Sequence, residues 1–188
     1  TDFKCFVKIL FSVCLLFFQR ASIFAQNQKV ADSLVKINQK NKLENSEKLE
    51  LLRNLSFNEV NNLELSLKYA DELIALSKLE KNYLYLHRGY YQKGNKNRLI
   101  GDLKKALNDF FKSAEAASKA KFITGKGVAY MSIADVYSIM GNVSNAEVYY
   151  TKSIDLLRKT KDSIALASAL LNAGDEYSKN KKFNLALK

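Results

Sequence analysis

An all-α solenoid of helix-turn-helix units is the fold class this sequence predicts, and three observations carry the prediction. The first is the stretch 127–158, GVAYMSIADVYSIMGNVSNAEVYYTKSIDLLR. At helical spacing Tyr130, Ile133, Ala134 and Tyr137 form one apolar stripe, Gly141 and Asn142 interrupt it, and Ala146, Tyr150, Ser153 and Ile154 begin another. The second is the recurrence of that frame every 40 residues. Forward, Leu170, Ala173, Gly174, Tyr177 and Ala186 take the equivalent sites. Backward, Tyr90, Gly94, Gly101, Ala106, Phe110 and Ser113 do so, and a further step gives the weaker set Phe57, Ser66, Ala70 and Leu73. Self-similarity at such a period marks units that cannot bury an apolar face alone and must stack. The third is composition: proline is absent, and 47% hydrophobic with 11% aromatic residues is more than a disordered chain carries.

Residues 1–25 read differently from the rest. Lys4 and Lys8 precede the apolar run 9–18, and Ile23-Phe24-Ala25 before Gln26 fits a cleavage site with a small last residue, so a secretory signal peptide is expected over 1–25. The run is about half of the roughly 20 apolar residues a membrane helix needs. The residues before Cys14 also lack the leucine and small residue of a lipoprotein signal. Both cysteines, Cys5 and Cys14, fall in the leader, which leaves the mature chain without disulfide or thiolate chemistry. Cleavage removes three basic residues and one acidic one from a chain of net charge +11, so the remainder stays basic. Because the chain starts at Thr1 and ends within a repeat, it is expected to belong to a longer protein.

After the leader, Val30, Leu34 and Ile37 place an amphipathic capping helix within 26–42. A repeat domain is expected over 43–188, its units spanning roughly 47–86, 87–126, 127–166 and a truncated 167–188. Its helices are expected at 43–60, with Ser46 as N-cap and Leu49, Leu52 and Leu55 facing inward, then at 63–79, 83–99, 102–119, 126–140 and 143–160. A further helix starts near Ser163, and its partner has only begun at Phe183 when the chain ends.

Tyr130, Ile133, Ala134, Tyr137, Gly141, Ala146, Tyr150 and Ser153 occupy, in order, the signature positions of the tetratricopeptide repeat, which this chain resembles. The resemblance implies a right-handed solenoid that acts as a protein-protein interaction scaffold, with the first helices lining a concave groove. On that face it places Arg88, Tyr91, Asn95, Arg98, Asp135, Ser138, Asp175 and Lys179, either as a groove for a protein or peptide or as ordinary solvated positions. Tyr90, Tyr130, Tyr137, Tyr150 and Tyr177 fall on buried positions of the frame, and Tyr91 does not. Two departures stand out. The period is 40 where about 34 is common, which implies longer helices or linkers. Ser118 and Arg158 replace the usual proline, which leaves the helix ends less sharply defined.

Chemistry is largely excluded. His87 is the single histidine, so a histidine metal cluster or relay cannot be built, and no catalytic, cofactor or metal residue is assigned. In the repeat frame His87 takes a surface position. Thr124-Gly125-Lys126-Gly127 lacks the first glycine of a phosphate loop and follows a helix, so it reads as an inter-repeat turn. Lys93, Lys96, Arg98, Lys104 and Lys105 cluster around one turn, and Lys179, Lys181 and Lys182 around another. Acidic residues interleave with them, and they read as solvated turns with no nucleic-acid partner.

The leader ending Phe-Ala-Gln, the segment 27–60 and the repeat over 85–120 together resemble the N-terminal sensory region of Bacteroidetes-type tetratricopeptide signalling proteins. That resemblance implies exported, periplasmic repeats followed by a membrane helix and a cytoplasmic output domain: a class III adenylate or guanylate cyclase, a histidine kinase or a DNA-binding regulator. No cyclase or kinase motif lies within these 188 residues, so no enzyme activity is expected of this chain itself. A freestanding secreted adaptor is the alternative.

Overall fold

Asparagine or aspartate just before an apolar helix start sets the rhythm of the chain. The side chains of Asn62, Asn82, Asp102, Asn142 and Asp162 each accept a hydrogen bond from the backbone N–H three residues on, satisfying a donor that a helix start leaves open. The computed structural model describes residues 28–38, 43 and 45–181. The expected signal peptide, both cysteines and the start of the last helix at Phe183 lie outside the described residues. The helices are α1 (28–38), α2 (Asn45–Asn58), α3 (Leu63–Leu79), α4 (Tyr83–Leu99), α5 (Leu103–Lys119), α6 (Ile123–Ile139), α7 (Val143–Leu157) and α8 (Ser163–Lys179), with no strand among the described residues. The helices α4, α6 and α8 start at one 40-residue step, and α3, α5 and α7 at another. Pairs of 17-residue helices with three-residue connections fill the step, so longer helices and not longer linkers account for the period.

Each tight connection follows one pattern. One residue takes left-handed backbone, and the N–H after it bonds back to the helix it leaves: Asn82 to Ser77, Asp102 to Asn97, Phe122 to Ala117 and Asn142 to Tyr137, all at 2.8–2.9 Å. Gly101 (φ 81) and Gly141 (φ 72) fill the left-handed position between first and second helices. Between second and first helices it is filled by Lys81 (φ 52) and Lys121 (φ 55), at a cost of roughly 1 kcal/mol each relative to glycine.

Three expectations shift. Ser46 lies inside α2 and does not cap it, since the helix already starts at Asn45. Asp102 caps α5 from outside. The helix expected from 126 begins at Ile123 and absorbs Thr124–Gly127, so those glycines do not turn the chain. They admit neighbours instead: a Cβ on Gly127 would sit 2.7 Å from Leu157 Cγ, and one on Gly125 2.7 Å from His87 Nε2.

Packing repeats with the same step. Ser113 Oγ donates to the carbonyl of His87 (3.1 Å) and Ser153 Oγ to that of Gly127 (2.8 Å), tying α5 to α4 and α7 to α6. A small polar residue at this position lets two backbones approach and satisfies its own hydroxyl. Gly94 lies against the fully buried Phe110 ring, and a Cβ there would meet Phe110 Cε1 at 2.7 Å. One apolar cluster gathers Leu49, Leu51, Leu52, Leu55, Tyr69 and Leu73, with Leu34 and Val35 of α1 against it. A second holds Ala106, Phe110, Ile133 and Val136, and a third Ala134, Ala146, Tyr150 and Ala173. Phe57, aligned with Tyr137 by the repeat, is 52% exposed.

The first helices touch their successors, α2 with α4, α4 with α6 and α6 with α8, while α3, α5 and α7 touch none of one another. The layer of first helices is therefore the tighter one, the inner side of a curved stack. No described helix is long and apolar enough to cross a membrane.

Candidate functional site

The inner layer is stitched by polar side chains that reach from one first helix to the next. At its start, Glu50 on α2 receives Arg53 on its own helix and the Tyr85 hydroxyl of α4 at 2.9 Å. Arg88 stands 3.5 Å from the same carboxylate and 4.9 Å over the Tyr85 ring. The Arg53 hydrogen bond is the main cause holding the Glu50 carboxyl below its usual range. Further along, Ser132 on α6 donates to the Tyr91 hydroxyl of α4 at 3.4 Å. Asp135 accepts from Tyr150 Oη at 2.7 Å and Asn172 Nδ2 at 3.1 Å, linking α6 to α7 and α8. Burial pushes the Asp135 carboxyl up, and those two hydrogen bonds and the nearby Arg98 oppose the shift. Ser138 donates to the buried Glu176 of α8.

The eight residues placed on this face by sequence therefore divide. Arg98 lies near Asp135, with Ser138 three residues further along α6 bonded to Glu176, and Arg98 Nε is enclosed with no hydrogen-bond partner among the described residues. Asn95 is half-buried on α4. Asp175 and Lys179 form an exposed pair at 2.6 Å further along α8, and Arg88 belongs to the Glu50 clasp. Tyr91 departs from its expected place: its ring lies 5.7 Å from Phe110 and 6.1 Å from His87, against the second apolar cluster. It is half core, and only part of it faces the groove.

His87 overturns its surface assignment. It is 5% exposed between α4, α5 and α6, its Nδ1 lies 2.8 Å from Ser113 Oγ, and its ring packs on Phe122 at 5.6 Å. Burial lowers its pKa to about 4. Lys96 also leaves the solvated cluster: 7% exposed, it donates to the Glu59 carbonyl at 3.1 Å. Lys93 pairs with Asp71 at 2.6 Å and Lys105 with Asp102 at 2.8 Å, so that turn is largely neutralised. Sequence reasoning missed Glu50 on α2, a helix on which it chose no position, and Ser132, Asn172 and Glu176, each one helical turn or less from a chosen position. A scan of the whole first-helix face would have included them. Among the described residues no group of three His, Cys, Asp or Glu side chains is placed to hold a metal ion.

The arrangement has solved counterparts. A TPR-like repeat protein, a kinesin light chain from Podosopora anserina, superposes with a TM-score of 0.65 at 13% identity, over 90% of this chain and 86% of that one. This chain has the fold of a TPR-like α-solenoid. A Rap protein complexed with competence and sporulation factor superposes at 0.74 and 16% identity, over 89% of this chain. A signal-transduction ATPase with numerous domains and a tetratricopeptide repeat sensor, from Pyrococcus horikoshii, does so at 0.70 and 17%, over 93% of this chain. The chain spans 49% of the Rap chain and 27% of the ATPase. At these identities the fold is what the tetratricopeptide-type stack shares with them. No family model matches the chain, and neither does any curated protein.

Proposed function

We propose that this chain is a tetratricopeptide-type scaffold that docks a protein or peptide segment along its inner layer, as the exported input region of a larger signalling protein. The observation that carries the docking surface is Arg98. Its guanidinium is half-buried beside Asp135, with an enclosed Nε that no described residue satisfies. The Nε itself has no surface for a partner to reach, and the rest of the half-buried guanidinium is what can donate charged hydrogen bonds to a partner carbonyl or carboxylate. Asn95 on the same helix, with Asp175 and Lys179 further along, extends the polar track. Two of the solved counterparts, one holding competence and sporulation factor and one with a repeat sensor, support a sensing role. The leader pattern supports export to the periplasm, and the signalling-family resemblance supports a downstream membrane helix and cyclase output. Mixed charge on the inner layer argues against nucleic acid as its partner.

Selection of displayed random peptides on the purified chain, followed by calorimetric titration of the enriched sequences, tests this reading. Arg98→Ala should weaken an enriched peptide about ten-fold or more, since a lost charged hydrogen bond is worth about 1.5–3 kcal/mol, with an unchanged melting temperature. Selection without enrichment, or peptides indifferent to Arg98→Ala and Asn95→Ala, would remove the inner layer as the docking surface.

A further inference from the structure

The connections from a second helix to the next first helix, at 80–82, 120–122 and 158–162, lie along one edge of the stack. Each carries an exposed lysine at the same step: Lys81, Lys121 and Lys161. Lys81 and Lys121 hold left-handed backbone, the conformation filled on the opposite edge by Gly101, Gly141 and Lys181. Lys78, Arg158 and Lys159 flank it and are exposed too. Two of the nearby acids are engaged, Glu115 with Lys119 at 2.7 Å and Asp162 with the N–H of Ala165, while Glu80 stands beside Lys81 in the first connection. Among these lysines project large apolar side chains, Leu79 (81% exposed), Ile164 (80%) and Ile123 (47%). Between α3 and α5 a recess of about 250 Å³ is lined by Lys78, Lys112 and Lys119 around Tyr90, with Glu115, already paired to Lys119, on its wall. Lys78 and Lys112 place their Nζ atoms 5.7 and 5.6 Å from that ring.

We propose that this edge docks the protein onto an anionic phospholipid bilayer. Leu79, Ile123 and Ile164 enter the boundary between headgroups and acyl chains, the turn lysines pair with lipid phosphates, and the recess seats one headgroup. Apolar tips between lysines suit a bilayer, which offers both chemistries at one depth. A nucleic-acid backbone offers phosphate alone, and the exposed aliphatic side chains would gain nothing there.

Co-sedimentation of the mature chain, from Gln26 on, with phosphatidylcholine vesicles, with and without about 30% phosphatidylglycerol, tests the proposal. Partitioning should be at least about ten-fold stronger onto the anionic vesicles. The double variant Lys81→Gly/Lys121→Gly should lower it roughly 30-fold, about five-fold per lysine. Its melting temperature should not fall, because glycine suits both backbone positions. Leu79→Ser/Ile164→Ser should weaken binding several-fold, while Leu99→Ser/Ile139→Ser on the opposite edge should leave it unchanged. Equal partitioning onto neutral vesicles, or indifference to the Leu79/Ile164 variant, would overturn the proposal. So would a single-stranded DNA that displaces the vesicles and binds the Leu79/Ile164 variant undiminished, since the edge would then be a phosphate-polymer surface.

Discussion

Replacing His87 by leucine should remove much of the acid sensitivity of this stack. The imidazole is 5% exposed, enclosed by Phe122, Tyr91 and Ser113, and burial lowers its pKa from 6.5 to about 4. As pH falls, the unfolded chain therefore takes up the proton before the folded one does. The stability tied to a neutral His87 is complete above about pH 6.5 and drains away toward pH 4. At about 1.36 kcal/mol per pKa unit the full difference is about 3 kcal/mol, of which about 2.5 kcal/mol is lost by pH 4.5. That is a large share of the 5–15 kcal/mol typical of a domain. Asp109 and Asp135 act with the opposite sign. Burial raises their carboxyl pKa values, so the folded state holds their protons more readily, adding stability in acid that is lost as pH rises through the raised values. Comparing variants at matched pH cancels those two groups. Leucine approximates the volume of the ring, and Ser113 Oγ keeps its bond to the backbone carbonyl of residue 87. Urea unfolding of both proteins at about pH 7.5 and about pH 4.5 should show wild type losing about 2.5 kcal/mol more than His87→Leu. Parallel losses in the two proteins would refute a neutral buried histidine.

Gly94→Ala should cost about 1 kcal/mol in thermal unfolding, because overpacking against Phe110 outweighs the gain in helix propensity; an equal or higher melting temperature would show that the ring yields freely. Tyr91→Ala should destabilise by about 2 kcal/mol, below the cost of truncating a fully buried aromatic, since only part of the ring is core. A loss under about 0.5 kcal/mol would return Tyr91 to the surface. In hydrogen exchange, amides of α8 should exchange well ahead of those of α6, because Ile164 and Leu171 are 80% and 74% exposed while α6 packs against α4, α5, α7 and α8. Equal protection would mean that stacking is not what stabilises the chain. Expressed with its leader in an exporting bacterium, the protein should be recovered outside the cytoplasm with Gln26 as its first residue, as read by mass spectrometry. An intact leader on cytoplasmic protein would end the export reading.

The repeat and its helices were legible in the sequence because local signals carry them. Apolar spacing at 3.6 residues, Gly101 and Gly141 at left-handed turns, and small residues at Ser113 and Ser153 each act over a few residues, and the 40-residue step multiplies the same evidence. What the sequence left open depended on which side chains meet across helices. His87, Tyr91 and Lys96 sit at positions that the repeat frame leaves on a surface. The longer helices of this chain carry them under α5, α6 and the end of α2, where Ser113, Phe110 and the Glu59 carbonyl receive them. Gly125 looked like a turn residue because glycine usually relieves the backbone; here it is glycine because Phe122 and His87 leave no room for a Cβ. The candidate groove divided for the same reason. Its face follows from periodicity within one helix, while the pairing of Asp135 with Tyr150 and Asn172, and the open donor on Arg98, arise from the approach of four helices, α4, α6, α7 and α8. Contacts of that kind depend on interhelix distance and side-chain length together, and only the folded stack determines both.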